Sequence, residues 1–210
     1  ALSNNVNSLK NMIDSTWDAS GSTCICCGIL KAISCYETNI FLDNFNNQAS
    51  GSNPTGWIIG ESGGSIDITT PGIEGDKSVT IKRTGTSNPF MHHKFAPQQD
   101  SLAVEFLINH SSGSGRMRVN IENNGGSDYI IFKMYNGYIR NNDNTVYPYT
   151  LGKVYKIRIE IIPGASSYDL YVDDVLRGDN LPVYSTRDNI GRIYFQTESS
   201  TITYRVDNIK

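Results

Sequence analysis

From residue 40 onward, apolar and polar residues alternate along the chain, and this period of two constrains the fold more than any other feature. In the segment VYKIRIEI (154–161), apolar residues occupy every second position and charged residues fill most of the positions between them. Such alternation is typical of a strand with one side in a core and the other in water. The same pattern predicts strands at 40–45, 57–61, 65–69, 77–83, 91–95, 102–108, 117–121, 129–135, 155–161, 168–172, 190–197 and 201–209.

Residues that favour tight turns separate these segments at short intervals. They are NGG at 124–126, NG at 136–137, PG at 163–164 and DD at 173–174. Parallel strands need long crossover connections, usually helices, and no helical pattern lies between the predicted strands. The sequence therefore predicts an all-β domain over 40–210, an antiparallel β-sandwich of the jelly-roll type.

The first 39 residues differ from this domain and form a separate N-terminal arm. Apolar residues recur there at spacings of three and four, which predicts one short amphipathic helix. A helix this short gains most of its stability by packing, so its apolar stripe needs a surface to dock on. The docking residues are Val6, Leu9, Met12, Ile13 and Trp17.

All four cysteines, Cys24, Cys26, Cys27 and Cys35, lie in the arm. Their spacing matches neither zinc ribbons or fingers nor ferredoxins. Adjacent cysteines cannot pair with each other without strain. In an oxidising compartment the alternatives are disulfides within the arm, such as Cys24 or Cys27 with Cys35, and disulfides to another copy of the chain. Reduced thiols packed as apolar residues are the remaining alternative.

The charge balance argues against a protein that binds nucleic acid electrostatically. The chain has 18 Lys and Arg against 21 Asp and Glu, and no concentrated basic segment is present. No apolar stretch reaches the roughly 20 residues needed to span a bilayer. Only 19% of the residues are charged, and a surface of neutral polar residues is common in extracellular β proteins. We therefore predict an extracellular or cell-surface protein.

Six phrases resemble, in order, a concanavalin A-like, laminin-G-like jelly-roll module. They are FLDNF at 41–45, PTGW at 54–57, DKSVTI at 76–81, VYKIRIEI at 154–161, YDLYVDDVL at 168–176 and YRVDNI at 204–209. Modules of this kind accompany secreted bacterial enzymes that degrade polysaccharides, as ancillary domains that hold glycan. The resemblance implies the same fold over about 170 residues and does not by itself fix a function.

The resemblance also implies a structural calcium ion. Jelly rolls of this kind often join their first and last strands through Ca²⁺ bound by carboxylates and backbone oxygens, and Asp43 and Asp207 occupy the matching ends. In the alternative, both aspartates face water on alternating strands. No other cofactor is expected.

The sequence lacks the residue patterns of an enzyme with this fold. Retaining glycosidases of this fold carry a Glu-x-Asp-x-x-Glu pattern, and the nearest phrase, SIDIT at 65–69, has no glutamate. A lyase would need His, Tyr, Arg and Gln grouped on one sheet, but the adjacent His92 and His93 point to opposite faces of a strand. His110 falls in a predicted loop at 109–115, where we expect it to be exposed. We therefore predict a protein without catalytic activity.

Glycan binding requires aromatic rings beside hydrogen-bonding groups. The best candidate is the Asn-rich segment 141–149, a predicted loop, together with the hairpin before it. Its aromatic residues are Tyr135, Tyr138, Tyr147 and Tyr149. In the alternative, these tyrosines brace the edge of the sandwich.

Two functions fit these features. In the first, which we favour at this stage, the protein is a non-enzymatic structural or adhesive subunit that self-assembles through its cysteine arm into a fibre or surface layer. The chain shows no catalytic domain for a glycan module to serve, and 39 residues with four cysteines are long for a linker. In the second, the domain is a carbohydrate-binding module that holds polysaccharide or cell-surface glycan.

Overall fold

The computed structural model describes residues 40–198 and 201–210. In these residues the chain forms fourteen strands and no helix. The strands are β1 Ile58–Gly60, β2 Gly64–Thr69, β3 Ser78–Arg83, β4 Phe90–Gln98, β5 Leu102–Gly113, β6 Arg116–Glu122, β7 Asp128–Tyr135, β8 Tyr138–Asn141, β9 Asn144–Pro148, β10 Val154–Ile161, β11 Ser167–Val172, β12 Val175–Pro182, β13 Ile190–Glu198 and β14 Ile202–Asp207. No helix among these residues could cross a membrane.

The strands form two seven-stranded sheets. Sheet I has the order β1-β4-β13-β6-β7-β8-β9, and sheet II has the order β12-β11-β10-β5-β14-β3-β2. All neighbouring strands pair antiparallel. The prediction of an all-β antiparallel sandwich is confirmed.

The core lies between the sheets because alternate residues of the central strands point inward. In β10 the residues at 155, 157, 159 and 161 are buried, whereas those between them are partly exposed. Phe106 of sheet II reaches across the core and meets two rings of sheet I edge to face. Its ring centroid lies 6.0 Å from that of Phe132 and 5.5 Å from that of Phe195. These contacts hold the two sheets together.

The two ends of the domain meet in one β-bridge. Asp43 N–H donates to Ile209 O at 2.9 Å, and Ile209 N–H donates to Asp43 O at 3.0 Å. The prediction of a strand over 40–45 is wrong, because Asp43 alone of these residues pairs, in this single bridge. The chain turns away because Phe45 adopts a left-handed conformation (φ 57°) and its N–H bonds to Asp43 Oδ1 at 2.9 Å.

The prediction of a loop at 141–149 is also wrong, because most of this segment is a β-hairpin. Strand β9 pairs with β8, and Asn142 and Asp143 form the turn between them. Asn142 has φ 50°. Asparagine tolerates this left-handed conformation, so the chain reverses within two residues and 144–148 continues the sheet.

The outer strands are short, irregular or covered. Strand β1 has three residues, and β12, which the sequence analysis missed, pairs with β11 through two register shifts and ends at Pro182. The open side of β2 is met by a preceding loop. There Gly51 N–H donates to Ile68 O at 2.8 Å, and Ile68 N–H donates to Ser52 O at 2.9 Å.

Candidate functional site

Polar and aromatic side chains cover the outward side of sheet I. Their neighbours along each strand, such as Met91, Val119, Phe132 and Phe195, fill the core, so the residues between them point outward. We call this surface the polar face of sheet I. Its residues are Phe90, His92 and Lys94 of β4; Arg192, Tyr194, Gln196 and Glu198 of β13; Arg116, Arg118, Asn120 and Glu122 of β6; Asp128, Lys133 and Tyr135 of β7; and Tyr138 and Arg140 of β8.

Three nearly parallel rings lie at one end of the polar face. The Tyr194 centroid is 5.3 Å from that of Phe90 and 5.8 Å from that of His92, with interplanar angles of 18° and 19°. The backbone of Gly60 leaves room for the Phe90 ring, because a Cβ there would come within 2.3 Å of Phe90 Cε1. Burial raises the pKa of Tyr194 to about 12.

A hydrogen-bonded network fills the centre of the polar face. Arg118 donates to Asn120 Oδ1 at 2.6 Å, to Glu198 Oε1 at 2.9 Å and to Asp128 Oδ2 at 2.7 Å. Asn120 Nδ2 donates to Asp128 Oδ1 at 2.8 Å and to Glu122 Oε1 at 3.1 Å. Because each group is held by several partners, the planar side chains are fixed before any ligand arrives.

The pair Glu122–Arg192 joins this network to the three rings. Glu122 is 2% exposed and accepts hydrogen bonds from the guanidinium of Arg192, which also donates to Gly126 O at 3.2 Å. Burial raises the pKa of Glu122. Burial lowers the pKa of His92, and the neighbouring charge of Arg192 lowers it further, so this histidine is neutral at pH 7.

At the other end of the polar face, Tyr135 lies between two arginines. The guanidinium carbon of Arg116 is 4.3 Å from the ring centroid, and that of Arg140 is 4.4 Å from it. Arg140 also lies 5.6 Å from the Tyr138 centroid. Both arginines are attracted to the ring electrons of the tyrosines.

The four tyrosines that the sequence singled out do not form one cluster. Tyr135 and Tyr138 lie on the polar face, whereas Tyr147 and Tyr149 pack against the core. The hydroxyl of Tyr149 bonds to His110 Nδ1 at 2.7 Å. The first pair is therefore accessible to a ligand on sheet I, and Tyr149 has a structural contact of its own.

The histidines divide as follows. His92 and His93 face opposite sides of β4, as predicted, because His92 joins the three rings and His93 stacks on Phe41 at 3.9 Å. The prediction of an exposed His110 is wrong: it lies in β5 and is 2% exposed. Strand β5 continues past the predicted end at 108, so His110 follows Phe106 and Ile108 on the inward side of the strand, where it pairs with the core residue Tyr204. Burial lowers the pKa of His110.

The polar face brings together residue types that the sequence analysis did not place together. His92, Tyr194, Gln196 and Arg118 share one sheet, which is the set that a lyase of this fold would need. However, each nitrogen of the Arg118 guanidinium already donates to a protein acceptor. Arg118 is thus held in place by protein groups rather than free to neutralise a substrate carboxylate.

Asp43 and Asp207 accept hydrogen bonds from separate sets of donors. Asp43 accepts from Trp57 Nε1 at 3.0 Å and from the N–H of Phe45 at 2.9 Å. Asp207 accepts from the N–H of Glu74 at 3.2 Å and of Asn208 at 2.8 Å. Within residues 40–198 and 201–210, no group of three or more His, Cys, Asp or Glu side chains could hold a metal. The two aspartates fit structural hydrogen bonding, and the calcium ion stays a prediction.

The pKa of Asp207 gives the first test. Burial, with a smaller effect from the charge of Glu74, raises it from 3.8 to about 6. The folded state then holds this proton more tightly than the unfolded chain does. This contribution to stability is fully present below about pH 4 and is lost as the pH rises through about 6.

We expect the stability of the unmodified chain, relative to Asp207→Asn, to rise by up to about 3 kcal/mol between pH 7 and pH 4. Urea denaturation of both proteins at each pH measures this difference, and other titrating groups cancel in it. A difference that does not change with pH would contradict the prediction. Repeating the pH 7 measurement with calcium at about 1 mM tests the predicted ion, which would stabilise only the chain that keeps Asp207.

The remaining sequence-based candidates, the docking residues Val6 to Trp17 and the four cysteines, lie outside the described residues. Their helix, disulfides and docking stay predictions.

Comparisons with known proteins identify the fold. Neither a family model nor a curated protein matches the chain. Among solved structures, a sialidase matches 81% of this chain with 16% identity and a TM-score of 0.70, and the chain spans 18% of its length. The T. cruzi calreticulin globular domain matches 81% of this chain and 87% of its own, with 12% identity and a TM-score of 0.51. The apo Crh5 transglycosylase matches 80% of this chain and 82% of its own, with 10% identity and a TM-score of 0.52.

These structures place the described domain in the class of jelly-roll β-sandwiches that its sequence phrases resemble. At such identities the likeness concerns the fold alone, so the function has to be inferred from the polar face.

Proposed function

We propose that this domain is a non-catalytic carbohydrate-binding module that holds a polysaccharide on the polar face of sheet I. The observation that carries the proposal is the placement of three nearly parallel rings, Phe90, His92 and Tyr194, beside a hydrogen-bonded network of planar polar groups. Sugar rings present apolar faces and hydroxyl edges, so they suit such a combination.

The size of the polar face favours a chain of sugars over a single one. The five adjacent strands β4, β13, β6, β7 and β8 contribute to it. Neighbouring strands are about 4.8 Å apart, so the face extends for about 19 Å across the sheet. Because its side chains are held by one another, little conformational entropy is lost when a ligand binds.

The fold comparisons support this proposal in one respect. Two of the solved structures that share the fold, a sialidase and a transglycosylase, carry the names of enzymes of carbohydrate chemistry. We also propose that this protein works outside the cell or at the cell surface. Self-assembly through the arm concerns residues outside the described part of the chain and stays a prediction.

The proposal is tested by retention on a panel of neutral and acidic polysaccharides in affinity electrophoresis. We expect Tyr194→Ala to weaken retention about tenfold or more, because the ring that supports the sugar is lost. Tyr184→Ala is the matched control, since Tyr184 is 57% exposed and lies in the segment between β12 and β13, outside the polar face.

Two results would overturn the proposal. One is a panel on which the unmodified protein is retained by no polysaccharide. The other is equal weakening by Tyr194→Ala and Tyr184→Ala, which would place binding elsewhere.

A further inference from the structure

The polar face of sheet I carries more positive than negative charge, in contrast to the whole chain. Its cations are Lys94, Arg116, Arg118, Lys133, Arg140 and Arg192, and the carboxylates on it and at its rim are Glu122, Asp128, Asp143 and Glu198. The chain as a whole has a formal net charge of −3. The excess of positive charge is therefore local to the face on which we propose that glycan binds.

Three of these six cations are already neutralised by carboxylates. Arg118 pairs with Asp128 at 2.7 Å and with Glu198 at 2.9 Å, and Lys133 pairs with Asp143 at 3.0 Å. Arg192 pairs with Glu122. These side chains have little capacity left for an added anion.

Arg116 and Arg140 differ from these three paired cations. Arg116 pairs with Glu198 at 3.4 Å, a carboxylate that Arg118 holds more closely at 2.9 Å, and the charge of Arg116 also helps to lower the pKa of Asp143. Arg140 pairs with no carboxylate of the described residues, and it donates to the backbone oxygen of Asp143 at 3.0 Å. The Nε atoms of both arginines are buried without a hydrogen-bond partner in the described structure. Two guanidinium groups thus lie near one another with their charge only partly compensated by protein carboxylates.

The ring of Tyr135 holds the two guanidinium groups in place. Because Arg116 and Arg140 lie at 4.3 and 4.4 Å from the ring centroid, neither group has to be ordered when an anion arrives. A guanidinium binds carboxylate, sulfate and phosphate through parallel hydrogen bonds. In a glycan, this chemistry belongs to uronic acids and to sulfated sugars.

We propose that the ligand of the polar face is an anionic polysaccharide, whose carboxylate or sulfate groups bind Arg116 and Arg140 beside Tyr135. This inference rests on the proposed function and narrows its ligand class. A neutral part of the same glycan then lies on the partly exposed rings of Phe90 and Tyr194, at the other end of the face.

Matched polymers and matched variants test this inference. Retention is measured on polygalacturonate and on its methyl ester, which lacks the charge. It is then measured on chondroitin with and without sulfate. Both of these polymers carry carboxylates, so the difference between them reports on sulfate alone. We expect the unmodified protein to bind the charged member of a pair at least tenfold more tightly than the uncharged or less charged member. We expect Arg116→Gln with Arg140→Gln to remove that preference.

The control removes two cations from the outward side of sheet II, as Lys82→Gln with Arg205→Gln. These residues lie on β3 and β14, so this control changes the net charge equally and leaves the polar face intact. Thermal unfolding of each variant shows whether it is folded.

The possible results separate the two proposals. If the protein binds the neutral and charged polymers equally, or if the Arg116 and Arg140 variant keeps the preference, the inference is overturned and the proposed function stands. If no polymer of the panel retains the protein, both are overturned. If the sheet II control loses binding as much as the sheet I variant does, net charge alone governs retention and the inference is overturned.

Discussion

Replacing Phe106 with alanine is expected to lower the free energy of unfolding by about 3 to 5 kcal/mol, the range for deleting a large buried side chain. Phe106 is fully buried and contacts Phe132 and Phe195 of the opposite sheet edge to face. Its removal leaves a cavity between the sheets and also breaks two aromatic pairs. Urea denaturation monitored by tryptophan fluorescence measures the loss.

Phe90→Ala is the matched control, because it removes the same side chain from the outward side of sheet I. There Phe90 is only partly buried and touches Tyr194 and His92. We expect it to cost less than half as much stability and to weaken glycan binding instead. Equal losses of stability from the two variants would contradict the placement of Phe106 as a buried contact between the sheets.

The second large effect is expected from Glu122→Ala, at about 2 to 4 kcal/mol of unfolding free energy. The side chain of Glu122 is 3% exposed and that of Arg192 is 17% exposed. Removing the carboxylate leaves the guanidinium in a poorly solvated position without its ionic partner. Asn120 also loses an acceptor, so we expect glycan retention to fall together with stability.

An exposed ion pair provides the comparison for Glu122→Ala. The side chains of Arg158 and Glu160, on the outward side of sheet II, are 31% and 39% exposed. Glu160→Ala should cost less than about 1 kcal/mol, because water screens such pairs. If Glu122→Ala lowered the free energy of unfolding no more than Glu160→Ala does, the pair of Glu122 with Arg192 would not stabilise the fold as the structure indicates.

Much of the fold follows from local sequence patterns. The alternation in segments such as 154–161 fixes which side chains face the core, and the turn residues between segments exclude parallel connections. Two failures arise where the backbone departs from regular strands, because Phe45 and Asn142 take up left-handed conformations. His110 was misplaced because β5 continues past its predicted end at 108, and the regular alternation of this strand turns His110 inward.

The polar face could be predicted only in part. Tyr135 and Tyr138 were found because they lie close together in the sequence. His92 and Tyr194 are separated by about a hundred residues and become neighbours because β4 pairs with β13. Alternation shows that both point away from the core, but it does not show which strands are adjacent. The polar sides of 116–122 and 192–198, rich in Arg, Glu, Asn and Tyr, were the available signal.

The outer strands of both sheets have a consequence for how this domain behaves at high concentration. An exposed, regular edge strand is a template for β-pairing between molecules, and it promotes aggregation. Here β1 is short, β9 has five residues, a register shift against β8 and a terminal proline, β12 is irregular and also ends in proline, and β2 is hydrogen-bonded to the loop at 51–52. These edges disfavour strand-by-strand polymerisation, so an ordered assembly of this domain would have to use other contacts.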